Sequence, residues 1–415
     1  MTGERALVIG GGVVGVCCAY YLARAGLPVT LVEKADICAG SSYGNGGLVV
    51  PSHAVPLAAP GVWTKALRWM VDPEGPFFIK PRLDPALATW LWRFRRACTE
   101  AHVRRATPLL RDLSYASLAL FRELAAIDGL EFGYQEKGAL AVFLTETGLA
   151  AGVREAQVLG EAGIATKVVD RAGARALEPS LVPEVVGGVF YPEDAHLTPD
   201  RFVTGLARVA ESLGVEIRRG TEVLGFQTAG RRIVAVETTR GDVHIDQIVL
   251  AAGAWSPGLG RLLGLDVPIQ AGKGYSVTYE RPADGPCMPL MLKEARVGVT
   301  PMGEALRFAG TLELAGLDLT INRRRVDAIV RAPARYIRGV EGLKLLEIWR
   351  GLRPCAPDGL PILGRSPRFE NLILATGHAM IGVSLGPITG KLVAELAVGE
   401  RPSLDIELLG PGRFR

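Results

Sequence analysis

The sequence predicts an α/β fold in which a Rossmann-like dinucleotide-binding domain is joined to a second, α+β domain. The chain opens with a short apolar strand, a glycine-rich turn and an apolar helix. Further apolar strands of the buried type occur near residues 247–252 and 372–375, whereas residues 273–280 alternate like a strand of a half-buried sheet. A length of 415 residues is too great for one hydrophobic core, so we expect two domains.

The first βαβ unit has the motif Gly-x-Gly-x-x-Gly. Residues 5–9 predict a buried strand, residues 14–25 a helix that ends at Gly26, and residues 28–32 a second strand followed by Glu33. The three glycines permit a tight turn, close approach of the backbone to a pyrophosphate, and close packing of helix on strand. The helix N-terminus suits the diphosphate, and Glu33 can accept hydrogen bonds from the ribose. The expected nucleotide contacts are Gly10, Gly12, Val13, Val14, Gly15, Glu33 and Lys34.

Later segments favour FAD over NAD. The small, polar, glycine-rich loop at residues 41–47 can offer hydroxyls and backbone amides to phosphates or to a ring edge. Residues 382–386 are expected to open a helix that runs to about residue 398, and its N-terminus suits the partial negative charge of a reduced flavin ring. An NAD dehydrogenase has no need of this closing element. The further cofactor contacts we expect are Ser41, Ser42, Asn45, Gly46, Gly47, Val223, Ala252, Gly253, Trp255, Gly377, Gly382, Val383, Ser384 and Leu385.

Motifs that support one family lie along nearly the whole chain. They are Val8 to Gly15, Ser41 to Gly47, Ala58-Ala59-Pro60-Gly61, Lys273-Gly274-Tyr275-Ser276, Gly351-Leu352-Arg353-Pro354, Pro357-Asp358-Gly359 and Thr376-Gly377-His378. Together they resemble the D-amino-acid oxidase superfamily, and most closely its bacterial D-amino acid dehydrogenases. The resemblance implies non-covalent FAD and oxidative deamination of D-amino acids. It also implies that the electrons pass to a quinone or a dye.

One stretch departs from those dehydrogenases. Where they typically carry Gly-Asp-Cys, this chain has residues 192–197, and the following residues 198–202 resemble the glycine and sarcosine oxidase branch. The alternative function is therefore oxidation of glycine or of a secondary amine such as sarcosine, D-proline or D-hydroxyproline. A FAD-bearing subunit of a larger complex is a second alternative, and a nicotinamide-dependent dehydrogenase is a third.

The substrate site is expected between two discontinuous domains, because pockets form preferentially at domain interfaces. We assign residues 1–55, 192–262 and 345–415 to the FAD-binding domain. Residues 56–191 and 263–344 then form a substrate-binding domain on a mixed, antiparallel-rich sheet.

An amino acid substrate needs a fixed partner for its carboxylate, and an arginine fork matches two carboxylate oxygens. Arg353 is the first candidate, since it resembles an arginine that faces the flavin in this superfamily; the alternative is that it pairs with a carboxylate or a flavin carbonyl. Tyr275 is the second candidate, with core packing as its alternative. Arg307 is the third. His378 lies in the flavin loop and is expected to position the ring, although its residue type also suits a base.

The expected reaction follows from the cofactor. The amino group loses a proton, the Cα hydrogen leaves as hydride to flavin N5, and water hydrolyses the imine to a 2-oxo acid and ammonia. Alignment over the ring is the protein's part in this reaction, and no acid or base is strictly required.

The composition and its pattern indicate neither a nucleic-acid-binding, nor a zinc-binding, nor a membrane-spanning protein. The net charge of +4 is too small to indicate nucleic-acid binding. The six cysteines show neither a C-x-x-C pair nor zinc-ligand spacing, which favours reduced thiols in a cytoplasmic protein. Residues 6–23 and 371–390 lack charges over about the length of a membrane span, but their glycines and polar residues favour buried strand–turn–helix segments.

Residues 63–96 combine aromatic and basic side chains, as membrane-interface segments do. We expect either peripheral contact with the inner face of the cell membrane or, equally, a packed core with solvated bases. The residues concerned are Trp63, Trp69, Trp90, Trp92, Phe77 and Phe78 with Lys65, Arg68, Lys80, Arg82, Arg93, Arg95 and Arg96.

Overall fold

A computed structural model describes residues 4–63, 66 and 75–414. The helices in these ranges are α1 (Val13–Arg24), α2 (Pro85–Ala97), α3 (Glu100–Ala125), α4 (Glu146–Glu161), α5 (Arg171–Leu177), α6 (Pro199–Ser212), α7 (Ser256–Leu262), α8 (Arg323–Arg331) and α9 (Gly386–Ala397). The strands are β1 (Ala6–Ile9), β2 (Val29–Val32), β3 (Leu48–Val49), β4 (Phe77–Ile79), β5 (Ala139–Phe143), β6 (Lys167–Asp170), β7 (Gly187–Tyr191), β8 (Ala195–His196), β9 (Glu216–Arg218), β10 (Val223–Ala229), β11 (Arg232–Thr238), β12 (Val243–His244), β13 (Gln247–Leu250), β14 (Gln270–Glu280), β15 (Leu290–Leu292), β16 (Val297–Met302), β17 (Ala305–Leu314), β18 (Leu345–Cys355), β19 (Ile362–Arg365) and β20 (Leu372–Thr376).

The first sheet is the dinucleotide-binding sheet that the sequence predicts. Its strands run in the order β9-β2-β1-β13-β20-β19, all parallel except that β19 is antiparallel to β20. Strands β1, β13 and β20 are buried along their whole length, because helices and loops cover both faces of the sheet. The order places the carboxyl ends of β1 and β13 side by side, where Rossmann-like sheets bind their ligand.

Helix α9 packs directly against α1, and glycines make this close approach. A Cβ on Gly390 would lie 2.5 Å from the backbone oxygen of Cys17, and one on Gly386 would lie 2.9 Å from a methyl group of Val13. The C-terminal helix therefore lies beside the helix that begins at the glycine motif, although more than 350 residues separate them in the chain. None of the described helices combines the length and the apolar character needed to cross a bilayer.

The second sheet has nine strands among the described residues and is largely antiparallel. Its path is β18-β14-β17-β16-β15-β5-β7-β6, with β4 pairing beside β17. Two pairs are parallel, β15 with β5 and β17 with β4. The expected mixed, antiparallel-rich sheet is confirmed, and its strands come from both sides of the middle FAD-domain segment, residues 192–262.

Strand β18 corrects one expected domain boundary. Residues 345–355 pair along their length with β14, from Gln270↔Cys355 to Tyr279↔Leu345. They therefore belong to the second sheet and not to the FAD-binding domain. We propose that the last FAD-domain segment begins near residue 356, and that the other boundaries lie as expected.

One smaller expectation also changes. Residues 382–385 form turns, so the closing helix begins at Gly386 and not at Gly382. Residues 317–322 form an irregular connection between β17 and α8.

Candidate active site

The turn after β1 is shaped by glycines that no other residue could replace without movement. Gly10 has φ +115°, and a Cβ on it would lie 2.6 Å from the backbone oxygen of Ala251. A Cβ on Gly15 would lie 1.8 Å from the oxygen of Gly10. Gly12 precedes the first residue of α1 as its N-cap. The turn thus has the geometry that the dinucleotide motif requires, with the helix N-terminus open towards a ligand.

Side chains around the turn hold it from outside. The Ser42 hydroxyl accepts a hydrogen bond from the backbone amide of Val13 at 2.9 Å. Glu33, directly after β2, accepts from the amides of Gly11 at 2.7 Å and Ala35 at 2.9 Å. Lys34 lies over the ring of Trp255, 4.1 Å from its centroid. Residues from the turn, the end of β2 and the segment after β13 therefore meet at one edge of the sheet.

Loop 41–47 crosses from the first sheet to the second. Ser41 exchanges hydrogen bonds with the backbone of Leu352, donating at 2.5 Å and accepting at 3.1 Å. A Cβ on Gly44 would lie 2.1 Å from the indole of Trp349, so this glycine lets the loop rest on the ring. Gly47 has φ +69°, and its amide donates to the Asn45 side chain at 2.9 Å.

The C-terminal segment closes the site from the other side. Gly377 follows β20 with φ +79°. The Ser384 hydroxyl accepts from the amide of Val50 at 3.1 Å, which ties the turn before α9 to the segment after β3. Thr376 joins the Ser256 hydroxyl, at 3.0 Å, to the backbone oxygen of Gly253, at 3.2 Å. Thr376 thereby brings Gly253 close to the segment of Gly377, a second predicted contact 124 residues later in the chain.

These residues fit a flavin dinucleotide. Residues 10–12 and 15 of the turn are glycines, which have no side chain to keep a diphosphate from the backbone. Loop 41–47 is small and polar, and it lies between the nucleotide turn and the second sheet. Val223 begins β10 close to Glu33, whose backbone oxygen accepts from the amide of Thr221 at 2.8 Å.

One face of the second sheet is lined by small side chains near Arg353. Gly272, Gly274 and Ser276 alternate along β14, and their partners on β18 are Arg353, Gly351 and Trp349. Directly opposed residues of an antiparallel pair share a face. A Cβ on Gly274 would lie 2.1 Å from an Arg353 nitrogen, so the guanidinium lies flat over this glycine.

The Arg353 guanidinium is held but not neutralised. Its Nη1 donates to the backbone oxygen of Thr311 at 2.6 Å, and Thr311 has the left-handed φ of +64°. No carboxylate of the described residues lies within ion-pair distance of it, and burial lowers the pKa of the guanidinium from its ordinary value. Buried charges are normally paired, so a guanidinium buried without a carboxylate partner is suited to an anion.

Tyr275 points to the opposite face, into a buried ionic cluster. Its hydroxyl donates to Glu313 at 2.9 Å and accepts from the amide of Asn322 at 3.1 Å, and the side chain is 1 % exposed. Lys273 lies 3.5 Å from Glu313, and Arg325 lies 3.3 Å from the same carboxylate. Because the single hydroxyl proton of Tyr275 is donated to Glu313 on the face opposite Arg353, Tyr275 does not make the expected donation to a substrate carboxylate beside Arg353.

His378 is buried and neutral. Its Nε2 is paired with the Thr389 hydroxyl at 2.9 Å, whereas its Nδ1 has no partner within the described residues. Burial lowers the pKa of His378 to about 4. At neutral pH it therefore provides no positive charge, which agrees with a positioning role better than with an anion-binding one.

Arg307 lies on the same face as Arg353 but is turned to loop 41–47. It donates to the Thr278 hydroxyl and to two backbone oxygens of the loop, those of Tyr43 and Asn45.

Two residues beside the candidate site, Trp349 and Thr311, were not among those predicted from the sequence. Trp349 lies two residues before the motif that begins at Gly351, so its position could have been noticed. The left-handed backbone of Thr311 is not indicated by any sequence pattern.

A Rossmann-like domain whose glycine turn and loop 41–47 meet a second sheet with a buried arginine has the features of a FAD-dependent oxidoreductase. The chain belongs to the DAO family of FAD dependent oxidoreductases, whose pattern it matches over residues 5–396. The resemblance to this superfamily and the FAD cofactor are thereby confirmed, and the chain is an enzyme.

Relatives and solved structures agree with this assignment. The chain is 35% identical to a D-amino acid dehydrogenase of Granulibacter bethesdensis, over 99% of both chains. It is 38% identical to a D-amino acid dehydrogenase of Methylobacterium radiotolerans, over 98% of this chain and 99% of the relative. The fold is similar to that of glycine oxidase from Geobacillus kaustophilus, with a TM-score of 0.80 and 23% identity over 99% of both chains.

Proposed function

We propose that this enzyme oxidises D-amino acids to 2-oxo acids and ammonia. The observation that carries the proposal is the guanidinium of Arg353, buried beside a face of small residues with no carboxylate partner among the described residues. An α-carboxylate is the anion that this fork matches. The D configuration is supported by the relatives, which are named D-amino acid dehydrogenases at 35% and 38% identity.

FAD is held without a covalent bond, and when bound it accepts the two electrons that leave the substrate. The turn from Gly10 to Gly15 holds the diphosphate and Glu33 the ribose. Loop 41–47 and the turn before α9 hold the ring. The further contacts proposed are Val13, Val14, Lys34, Ser41, Ser42, Asn45, Gly46, Gly47, Val223, Ala252, Gly253, Trp255, Gly377, Gly382, Val383, Ser384 and Leu385.

The residues of the chain position the substrate. Arg353 binds the carboxylate and so fixes Cα relative to the small-residue face. His378 is neutral and leaves Arg353 as the cation that meets the carboxylate. The substrate amine loses a proton and Cα loses a hydride, and water hydrolyses the imine that remains to a 2-oxo acid and ammonia.

A dye-reduction screen with the purified enzyme tests the proposal. We expect reduction with several D-amino acids and none with their L enantiomers. Activity confined to glycine, sarcosine, D-proline or D-hydroxyproline would replace the proposal with oxidation of glycine or a secondary amine. No activity without a co-purifying chain would point to a subunit of a complex.

The electron acceptor we propose is a quinone, as the resemblance to the dehydrogenases implies. We expect reduction of a soluble quinone analogue by D-amino acid, with little oxygen uptake. Peroxide formed in amounts equal to the 2-oxo acid would show an oxidase instead.

A quinone lies in the bilayer, so we also propose a membrane-facing surface, at the inner face of the cell membrane. The described tryptophans of residues 63–96 do not together form it, because Trp90 is buried in a stack on Phe94, Trp63 is half-buried and, of these three, only Trp92 is exposed. Trp69, Lys65 and Arg68 lie outside the described residues.

The surface we propose consists of Leu83 with residues 317–324. The exposed apolar side chains are Leu83, Leu317, Leu319 and Ile321, and Arg323 and Arg324 follow them, both exposed. Lys80 joins the two stretches through its ion pair with Asp318 at 3.2 Å. Apolar side chains flanked by arginines fit an anionic bilayer surface.

Sedimentation with vesicles tests this surface. We expect binding to anionic vesicles that weakens with salt, and loss of binding in the variant Leu317→Ser with Leu319→Ser. The control is Leu224→Ser with Leu262→Ser, because both leucines are 57% exposed against 56% for Leu317. Equal binding by the two variants, or none by the wild type, would remove the proposal.

A further inference from the structure

Arg307 joins the second sheet to the cofactor loop. It lies on β17 with Thr278 of β14 and Thr300 of β16 as its opposed partners. Its Nε donates to the Thr278 hydroxyl at 3.1 Å, and its Nη1 donates to the backbone oxygens of Tyr43 and Asn45, each at 3.0 Å. The residue is 6 % exposed. A single buried guanidinium thus fixes two peptide groups of loop 41–47.

These two bonds set the direction of the loop amides. All peptide bonds of the described chain are trans, and in a trans peptide the C=O and the next N–H point in opposite directions. Because the carbonyls of Tyr43 and Asn45 point to Arg307, the amides of Gly44 and Gly46 point away from the second sheet. Backbone amides presented in this way suit an anionic or carbonyl-bearing ligand.

The charge of Arg307 is not used in an ion pair. No carboxylate of the described chain lies within ion-pair distance, although Asp200 and Glu347 are near enough to raise the pKa of the guanidinium against the larger, lowering effect of burial. Burying a cation without a counter-charge is unfavourable in free energy. If contact with the loop were the only role of this side chain, a neutral donor could make it at a smaller free-energy cost. Its Nη1 donates to the loop and its Nε to Thr278, which separates it from the substrate-anchor role expected from the sequence.

We propose that Arg307 is a positioning residue of the cofactor site. It holds loop 41–47 in the shape that presents the amides of Gly44 and Gly46 to FAD. The proposal requires FAD binding, which family membership shows, and does not depend on the identity of the substrate.

FAD release from the diluted holoenzyme, followed by flavin fluorescence, tests the proposal without any substrate. Loss of two charge-assisted bonds in Arg307→Met should raise the dissociation constant for FAD on the order of 10- to 100-fold. Arg307→Lys keeps the charge but lacks the fork, so its dissociation constant should fall between those of Arg307→Met and the wild type.

Arg325→Met is the matched control. Arg325 is also a buried arginine of the second domain that donates to a backbone oxygen, that of Gly75, but it lies in the Glu313 cluster away from the loop. This variant should lower the melting temperature with and without FAD alike and leave the dissociation constant within about 2-fold. Arg307→Met should mainly reduce the stabilisation that added FAD gives.

Two results would overturn the proposal. One is an unchanged FAD dissociation constant in both Arg307 variants. The other is a raised KM for amino acid in FAD-saturated Arg307→Lys with normal FAD affinity, which would return Arg307 to the role of substrate anchor.

Discussion

At the scale of single residues, the proposed binding of the substrate carboxylate depends on Arg353. The guanidinium lies over Gly274, keeps one bond to Thr311 and has no carboxylate partner among the described residues. Its neighbour in the chain, Arg350, points to the other face and donates to the backbone of Leu319 at 3.1 Å. The alternation of β18 therefore places Arg353, the proposed substrate anchor, and Arg350, which bonds to the protein backbone, on opposite faces of the sheet.

Replacing Arg353 should impair substrate binding. Arg353→Lys keeps the charge but not the fork, so kcat/KM for a D-amino acid should fall by about 10- to 100-fold, mostly through KM. Steady-state kinetics at saturating dye measure the change, with Arg350→Lys as the control on the same strand. Equal effects of the two substitutions would show that Arg353 does not bind the substrate.

Asp194 is a buried acid that supports the segment after β3. Both of its oxygens accept from Ser52, at 3.1 Å from the amide and 2.6 Å from the hydroxyl. Burial raises the pKa of Asp194 to about 7, from an ordinary value of 3.8. The folded protein therefore keeps this proton up to about pH 7, whereas the unfolded chain releases it near pH 4.

The sign of the pH effect follows from that difference. As the pH rises from about 4 to 7, the Asp194 contribution lowers the free energy of unfolding. Asp194→Asn can accept from the Ser52 amide through its oxygen and donate to the Ser52 hydroxyl through its nitrogen. Because it has no proton to lose, it should gain stability relative to the wild type at pH 8 compared with pH 5. Urea unfolding of the holoenzyme at both values measures this, and an equal difference at the two would contradict it.

Single residues could be predicted only where a motif carried them. Arg353 and His378 were named from quoted motifs and remain candidates. Tyr275 was named equally well, but its hydroxyl partner Glu313 is 38 residues away, and only the pairing of β14 with β17 brings them together. Strand alternation alone could not tell which face of β14 meets the cofactor domain.

At the scale of elements, the βαβ unit was predictable because its determinants are local. The strand, the turn and the helix lie within residues 6–24, and Gly15 is required by its close contact with the Gly10 oxygen inside the same unit. Strand β18 was misassigned because its place depends on pairing with β14, about 75 residues earlier. No pattern within residues 345–355 indicates which of the two sheets they join.

Gly15→Ala tests the tight turn as an element. The new methyl group would lie 1.8 Å from the Gly10 oxygen, so the turn must deform and the protein should be purified with little or no FAD. The control is Gly160→Ala in helix α4, where a Cβ meets nothing within 4 Å. That variant should keep its FAD and gain about 0.5–1 kcal/mol. A normal flavin content in Gly15→Ala would contradict the account of the turn.

At the scale of the whole molecule, three histidines make the free energy of unfolding depend on pH. Burial lowers the pKa of His53, His196 and His378 to about 4 each. These three histidines stay neutral when folded and take up protons near pH 6.5 when unfolded. Three such groups outweigh the opposite contribution of Asp194.

The holoenzyme should therefore lose stability as the pH falls from about 7 to 5. The unfolded state binds more protons than the folded state in this window, so the free energy of unfolding must decrease. Denaturant titrations at several pH values give the slope. A free energy of unfolding that is constant or rises on acidification would show that the three histidines are not buried as neutral groups.

The most direct test of the central claim is anaerobic titration of the purified protein with a D-amino acid while its visible spectrum is recorded. The account predicts a yellow protein whose flavin absorption bleaches with the D enantiomer and not with the L enantiomer. A colourless protein that takes up no FAD, or a flavin that no D-amino acid bleaches, would contradict it.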